Sequence, residues 1–286
     1  MNVLEELLSL LGLEKIEENL FRGKSQDLGF GNVFGGQVLG QSLSAASRTV
    51  EPRLSAHSMQ GYFLRAGDSA LPIVYQVDCI RDGKSFSTRR VMAIQKGQAI
   101  FSMSASFQIA EEGFEHQSSM PEVQGPENFI SDQERVRSIK DKIPRVIRDK
   151  IICDKPIEIR QINPINPFSP EKQPPLKYSW FRAIDKLPDD PAIHKYMLAY
   201  ASDFGLLGTA LYPHGHTFWE PSMQVTSLDH AMWFHRDFRM DDWLLYVMDS
   251  PSASHARGFN RGSIFTREGK LVASTAQEGL IRLRQK

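Results

Sequence analysis

Two cysteines, Cys79 and Cys153, are all that 286 residues contain, and neither belongs to a CxxC or Cys/His cluster. That excludes a disulfide framework and a zinc-finger type of site, and it suits a reducing compartment, with the cytoplasm as the expected location. Charge of one sign is equally scarce: 34 Lys+Arg balance 34 Asp+Glu. The chain as a whole therefore offers no electrostatic footprint for nucleic acid or an anionic membrane, and any anionic ligand must be held by local charge. No apolar run approaches the roughly 18 residues of a membrane span. Glu5 and Glu6 stand among the first leucines where a signal peptide would be basic. The final Arg284-Gln285-Lys286 is not the Ser-Lys-Leu peroxisomal address. A GxSxG elbow is absent, Gly83-Lys84-Ser85 lacks the glycine spacing of a P-loop and reads as a hairpin turn, and glycines 29, 31, 35 and 36 miss the dinucleotide pattern.

What the chain does have is an echo of itself. His57 opens a stretch reaching Asp68, and His230 opens one reaching Asp241. Lys96-Gly97-Gln98-Ala99-Ile100-Phe101-Ser102 is answered by Glu268-Gly269-Lys270-Leu271-Val272-Ala273-Ser274. A period of about 170 residues is too long for a solenoid or propeller, so the chain reads as two tandem copies of a domain-sized unit, for which its length suffices. The expected division is residues 1–112, a connector at 113–150, and 151–286. Where copies diverge, chemistry can settle in one of them.

Periodicity supplies the elements. Leu4, Leu7, Leu8 and Leu11 mark a short amphipathic helix stopped by Gly12. From about 34 to 49 the faces are Gly, Ala, Ser, Val and Leu, as expected of a helix buried on most sides. Strand-forming runs follow at 62–64, 73–77, 87–95 and 99–109, separated by Ala66-Gly67-Asp68, Arg81-Asp82-Gly83 and Lys96-Gly97, the spacing of an antiparallel meander. A charged helix-like run spans 132–150 and a proline-rich segment 164–175. A second apolar helix is predicted over 192–211, and strands over 243–249, 256–266 and 270–282. One buried helix wrapped by an antiparallel sheet, twice over, describes an α+β tandem (double) hotdog.

At this point particular segments speak. Val33-Phe34-Gly35-Gly36-Gln37, His57-Ser58-Met59-Gln60-Gly61-Tyr62-Phe63-Leu64, Tyr200-Ala201-Ser202-Asp203, the run Leu228 to Arg236 and Ala273-Ser274-Thr275-Ala276-Gln277-Glu278-Gly279 resemble, in order over almost the whole chain, the acyl-CoA thioesterase II family. The resemblance implies hydrolysis of medium- to long-chain acyl-CoA to a fatty acid and CoA, with no metal and no cofactor, in a dimer or tetramer of double hotdogs. It also implies that an Asp, a Ser or Thr, and a Gln surround a nucleophilic water. By motif position these are Asp203, Ser227 and Gln277.

The residues can be weighed without the family. Asp203 is a carboxylate inside an otherwise apolar helix pattern, so it needs partners or an opening to water. Gln277 falls on a strand where the Gly97/Gly269 alignment puts Ala105 in the first copy. Ser227 is selected by motif register alone, with Thr226 and Ser222 as neighbouring hydroxyls. A thioester needs a water polarised by a base and held in line, which a carboxylate with an amide and a hydroxyl can do. The thiol can leave with little acid help, since thiols ionise near pH 8.5. Backbone N–H groups near a helix start are the expected oxyanion donors. Direct attack by Asp203 to give a mixed anhydride is the alternative route, and a non-catalytic acyl-CoA binding module the alternative class. A hotdog hydratase would want a histidine beside its carboxylate, and Asp203-Phe204-Gly205 lacks one. His57 and His230, at matching places in the repeat, read as a shared structural feature. Trp233 and Phe234 read as core, and Arg89, Arg90, Arg257 and Arg261 read as a solvated sheet face or as contacts to CoA phosphates.

Overall fold

The structure is a computed structural model describing residues 2–29 and 31–284. Gln285 and Lys286, part of the C-terminal motif considered above, lie outside the described residues.

In chain order the elements are α1 (Val3–Leu11), β1 (Glu14–Glu17), β2 (Leu20–Gly23), α2 (Gly35–Ser47), β3 (Leu54–Phe63), β4 (Ile73–Asp82), β5 (Phe86–Gln95) and β6 (Gln98–Ile109). A link with two short helices follows, α3 (Asp132–Ser138) and α4 (Arg145–Ile152). Then come β7 (Ile157–Gln161), β8 (Leu176–Ala183), α5 (Pro191–Ala201), β9 (Met223–Ser227), β10 (Asp229–Phe234), β11 (Leu244–Ser254), β12 (Arg257–Thr266) and β13 (Leu271–Leu283). The strands form one antiparallel sheet in the order β1-β2-β4-β5-β6-β3-β10-β13-β12-β11-β8-β7, with β9 paired to β13. Its two halves meet where β3 lies against β10, Gln60 opposite Ala231 and Met59 opposite Met232. This is the double hotdog expected from the repeat.

Each half wraps a helix, and the two helices pack on one another. Every residue of α2 from Gly36 to Ala46 is buried. A side chain at Gly40 would press on the Tyr196 carbonyl at 3.0 Å, and one at Gly36 would collide with the Tyr200 carbonyl, so the small residues let the backbones approach. Two buried amides are satisfied internally: Gln41 donates to the carbonyls of Leu10 and Lys24 and accepts from Gln37 and from the Tyr75 hydroxyl. On the outer face of the second half, Trp180, Leu245 and Phe265 are covered by Met120, Val123 and Phe129 of the link, and the Trp180 indole donates to the Gln124 carbonyl at 2.9 Å. Each fully buried aromatic there contributes roughly 1.5–3 kcal/mol.

Five expectations need correcting. The apolar stretch 192–211 is not one helix. Asp190 and Pro191 start α5 as cap and first-turn proline, but Ser202 bonds back to the Ala199 carbonyl and Gly205 takes φ +77°, so the chain turns and resumes as a 3-10 helix over Leu207–His214. The charged run 132–150 is broken after Ser138: a 3-10 turn over Lys140–Lys142 and Pro144, which caps α4, separate α3 from α4. The strand glimpsed at 62–64 begins at Leu54, hidden by its polar outward residues. Arg89 is no surface residue: it is 2% exposed and donates to Thr49, Asp82 and the Arg81 carbonyl.

Nor do His57 and His230 correspond. Equivalent bulges put Ala93 opposite Phe101 and Ile264 opposite Ala273. Phe101 therefore matches Ala273, and Ala105 matches Gln277. Met59 faces Ala105, and the register of Ala231 with Ala276 carries His230 to Gln277, so the counterpart of His230 is Met59.

Candidate active site

The site begins at the end of α5. Ser202 is fixed from three sides: its hydroxyl donates to the Ala199 carbonyl at 2.9 Å and lies 3.0 Å from His230 Nε2, and its own carbonyl accepts from the Tyr246 hydroxyl at 3.0 Å. With the serine proton spent on Ala199, the network assigns the proton of His230 to Nε2. Burial pushes the His230 imidazole down to about 4, so it stays neutral at physiological pH.

Fixing Ser202 aims the next residue. Asp203 is therefore not inside a helix, as its apolar surroundings suggested, but in the turn after α5, facing the start of α2. Its Oδ2 accepts from the Gly36 N–H at 3.0 Å, a first-turn donor of α2 with no partner of its own inside the helix. A side chain on Gly35 would lie 2.6 Å from the same oxygen, so glycine is what admits the carboxylate here. Its Oδ1 accepts from Gln277 Nε2 at 2.8 Å. Burial raises the Asp203 carboxyl above the usual range, and the Gln277 and Gly36 bonds offset part of that. Phe34 stacks on Phe204, with ring centres 4.5 Å apart, and meets Tyr200 edge-on beside it.

Gln277 projects inward from β13 and is fully buried. The same Nε2 that donates to Asp203 donates to Ser227 Oγ at 3.0 Å, while its Oε1 has no hydrogen-bond partner among the described residues. Ser227 ends β9, opposite Gly279. The three residues picked from the motifs, 74 and 50 positions apart in sequence from Gln277, thus converge on one amide group. Ser227 takes this place, and Thr226, the next residue back, points to the other side of the strand and is exposed.

Other residues of the site went unread in the sequence. Gly36 appears in the sequence only as a letter of a motif and as part of a failed dinucleotide pattern, with backbone N–H groups near a helix start expected as oxyanion donors and not as partners of Asp203; Ser202 is only a letter of a motif, and Asn260 is not singled out at all. Asn260 is fully buried beside Gln277, donating to its carbonyl at 3.4 Å, with its own Oδ1 unpartnered among the described residues. The available signal was the alignment of β12 with β5, which sets Asn260 against Arg89. The arginines assigned to the sheet surface behave otherwise as expected: Arg90 pairs with Asp78, Arg257 with Glu278 and Arg261 with Asp249. Phe234 is core and Trp233 half-buried.

A carboxylate, an amide and a hydroxyl held together where one unit's helix begins and the other's ends define the class, a duplicated hotdog protein with the equipment to orient a small polar molecule. Comparison with known proteins supplies the particular family. Residues 25–108 match the family model described as acyl-CoA thioesterase N-terminal domain, and residues 146–280 the one described as acyl-CoA thioesterase. The chain is 43% identical over 281 residues to acyl-CoA thioesterase 2 of Haemophilus influenzae, covering 98% of each. A crystal structure of the acyl-CoA thioesterase II TesB2 from Mycobacterium marinum superposes with a TM-score of 0.79 at 43% identity, over 98% of this chain and 99% of that one. A hot dog fold protein from Alicyclobacillus acidocaldarius, 19% identical, gives a TM-score of 0.78 over 98% and 99%, which speaks to fold alone. The chain belongs to the acyl-CoA thioesterase II family.

Proposed function

We propose that the chain hydrolyses medium- to long-chain acyl-CoA to a fatty acid and CoA by attack of a water that Asp203, Ser227 and Gln277 orient. The observation that carries this reading is the single Gln277 amide nitrogen bonding both Asp203 and Ser227. Since Ser227 Oγ accepts from Gln277, its own proton is left to donate to the water. Gln277 Oε1 and the Asp203 carboxylate then accept the water's two protons. Asp203 takes one of them as the water attacks the thioester carbon. The carbonyl oxygen becomes an oxyanion, which collapses to expel the CoA thiolate, and the proton held by Asp203 passes to the thiolate, which restores the carboxylate. Both Asp203 oxygens are engaged, by Gly36 and Gln277, which favours a base over a nucleophile that must swing toward the substrate.

The same reading assigns the chemistry to the second unit, residues 151–286. The first unit, residues 1–112, completes the site through Gly36, and 113–150 joins them. It takes the enzyme as a cytoplasmic dimer or tetramer that needs neither metal nor cofactor. Among the described residues no helix is long and apolar enough to cross a membrane. The test is thiol release from a panel of acyl-CoAs, wild type against Asp203→Asn. The expected loss is at least about 100-fold, the scale of a positioned base. Wild-type inactivity at every chain length would leave a binding module instead.

A further inference from the structure

The residues proposed for catalysis do not line a cavity of about 510 Å³ between the link and the second unit. Its wall is mainly hydrocarbon. Ile139 and Ile143 come from the link, Leu211 from the 3-10 helix, and Phe168 and Trp219 from the loops on either side.

Into this apolar space β8 sends Lys177. Its ammonium lies against Gly205, where any side chain would collide with it, and Gly205 is only two residues from Asp203. No hydrogen bond or ion pair reaches Lys177 Nζ among the described residues. The nearest opposite charge is Asp132, beyond ion-pair distance, whose Oδ2 accepts from Gln161 at 2.7 Å while its Oδ1 has no hydrogen-bond partner among the described residues. Burial pushes the lysine down and Asp132 up, as expected of charges short of partners. The other charged groups of the wall are placed differently. Arg135 is 4.0 Å from Asp132, Lys142 lies over the Phe168 ring, and His216 is bonded to Glu220. Lys177 is half-buried, and its ammonium has no acceptor among the described residues, so a ligand oxygen of opposite charge would satisfy it.

We propose that this cavity binds a fatty-acid anion, its carboxylate on Lys177 and its chain along the apolar wall. The chemistry selects that class. Of the three cations on the wall, Arg135 stands near Asp132 and Lys142 lies over the Phe168 ring, which leaves the Lys177 ammonium beside the hydrocarbon for a carboxylate on an aliphatic tail. Hydrolysis at Asp203 would release such an anion beside Gly205, repelled by the Asp203 carboxylate and drawn to Lys177. Only this origin of the ligand rests on the proposed activity; the binding itself does not.

The test is calorimetric titration of the full chain with decanoate, with 1-decanol as the uncharged probe. Decanoate is expected to bind. Lys177→Met should weaken it at least about tenfold, the loss of one charge-assisted hydrogen bond, and leave 1-decanol binding unchanged, whereas Lys177→Arg should retain most of the affinity. Asp132→Asn, which removes the competing negative charge, should tighten decanoate and decides the matter if Lys177→Met does not fold. No decanoate binding by the wild type, wild-type affinity in Lys177→Met, or no gain in Asp132→Asn would overturn the proposal. Hydrolysis without decanoate binding would refute this site and leave the enzyme; Lys177-dependent binding without hydrolysis would do the reverse.

Discussion

The two units place quite different residues at the same inward-facing positions. In the second unit Ser227, His230, Asn260 and Gln277 stand together on adjacent strands; in the first, the equivalent places hold Ala56, Met59, Arg89 and Ala105. Two residues beyond α5 is Asp203, and two beyond α2 is Thr49. In the first unit Arg89 donates to the Thr49 hydroxyl and carbonyl, to Asp82 and to two further carbonyls, which saturates its guanidinium. In the second, Gln277 Oε1, Asn260 Oδ1 and His230 Nδ1 are buried acceptors without partners among the described residues. Unmet acceptors are destabilising, by about 1–3 kcal/mol each. Duplication thus lets one copy carry a saturated, structural version of a layer while the other keeps a version that bonds something else.

Converting the second unit toward the first should break catalysis in graded steps. Gln277→Ala, which copies Ala105, removes the amide that aligns both Asp203 and Ser227. It is expected to lower kcat about 100-fold or more, measured as thiol release at saturating substrate. The same variant should sharpen the pH profile. In the proposed role Asp203 must be ionised, so the rate is expected to rise with pH through its raised pKa, and the acidic limb should lie above the ordinary value near 4. Losing the Gln277 bond, which favours the ionised form, moves that limb further upward; a limb that stays put or moves down would show that Asp203 is not the titrating base.

Ser227→Ala, copying Ala56, would remove one hydrogen bond to the proposed water and is expected to cost about tenfold in kcat. Ser227→Thr should restore most of it. Full activity in Ser227→Ala would remove the hydroxyl from the mechanism.

The smallest effect on rate, and a distinct one on stability, is expected at His230. The folded imidazole titrates near 4 and the unfolded one near 6.5. Because the folded pKa is depressed, the unfolded chain binds the proton first, and stability falls as pH drops from 6.5 to 4. The loss attributable to this group approaches about 3 kcal/mol at the lower end. His230→Met, copying Met59, should flatten that part of the curve in denaturant titrations at several pH values. An unchanged pH slope would contradict the burial of a neutral histidine.

Much of this contrast could be read in the chain before its coordinates. The repeat carried the fold because hairpin turns such as Lys96-Gly97 and Glu268-Gly269 are local and their chemistry is specific. The motifs singled out Asp203, Ser227 and Gln277, which the fold brings into contact. What failed did so for physical reasons. Apolar periodicity continues through residues 202–206, and only the bond from Ser202 back to Ala199 and the left-handed Gly205 end the helix there. The false pairing of His57 with His230 came from aligning identities in sequence, whereas equivalence in a sheet is fixed by strand register and bulges. Arg89 looked like surface because arginine usually is, and its burial depends on Thr49, 40 residues away. Backbone donors at a helix start were expected, but that the Gly36 N–H is spent on Asp203 depends on the packing of α5 against α2, which leaves no mark in composition.

The most direct test of a water held by the second unit is a single turnover of acyl-CoA with excess enzyme in oxygen-18 water. Direct attack by that water predicts label in the fatty acid from the first turnover and none in the peptide containing Asp203. Label appearing first in that peptide, with unlabelled fatty acid released, would mean that Asp203 itself attacks the thioester and would contradict the role assigned to Gln277 and Ser227.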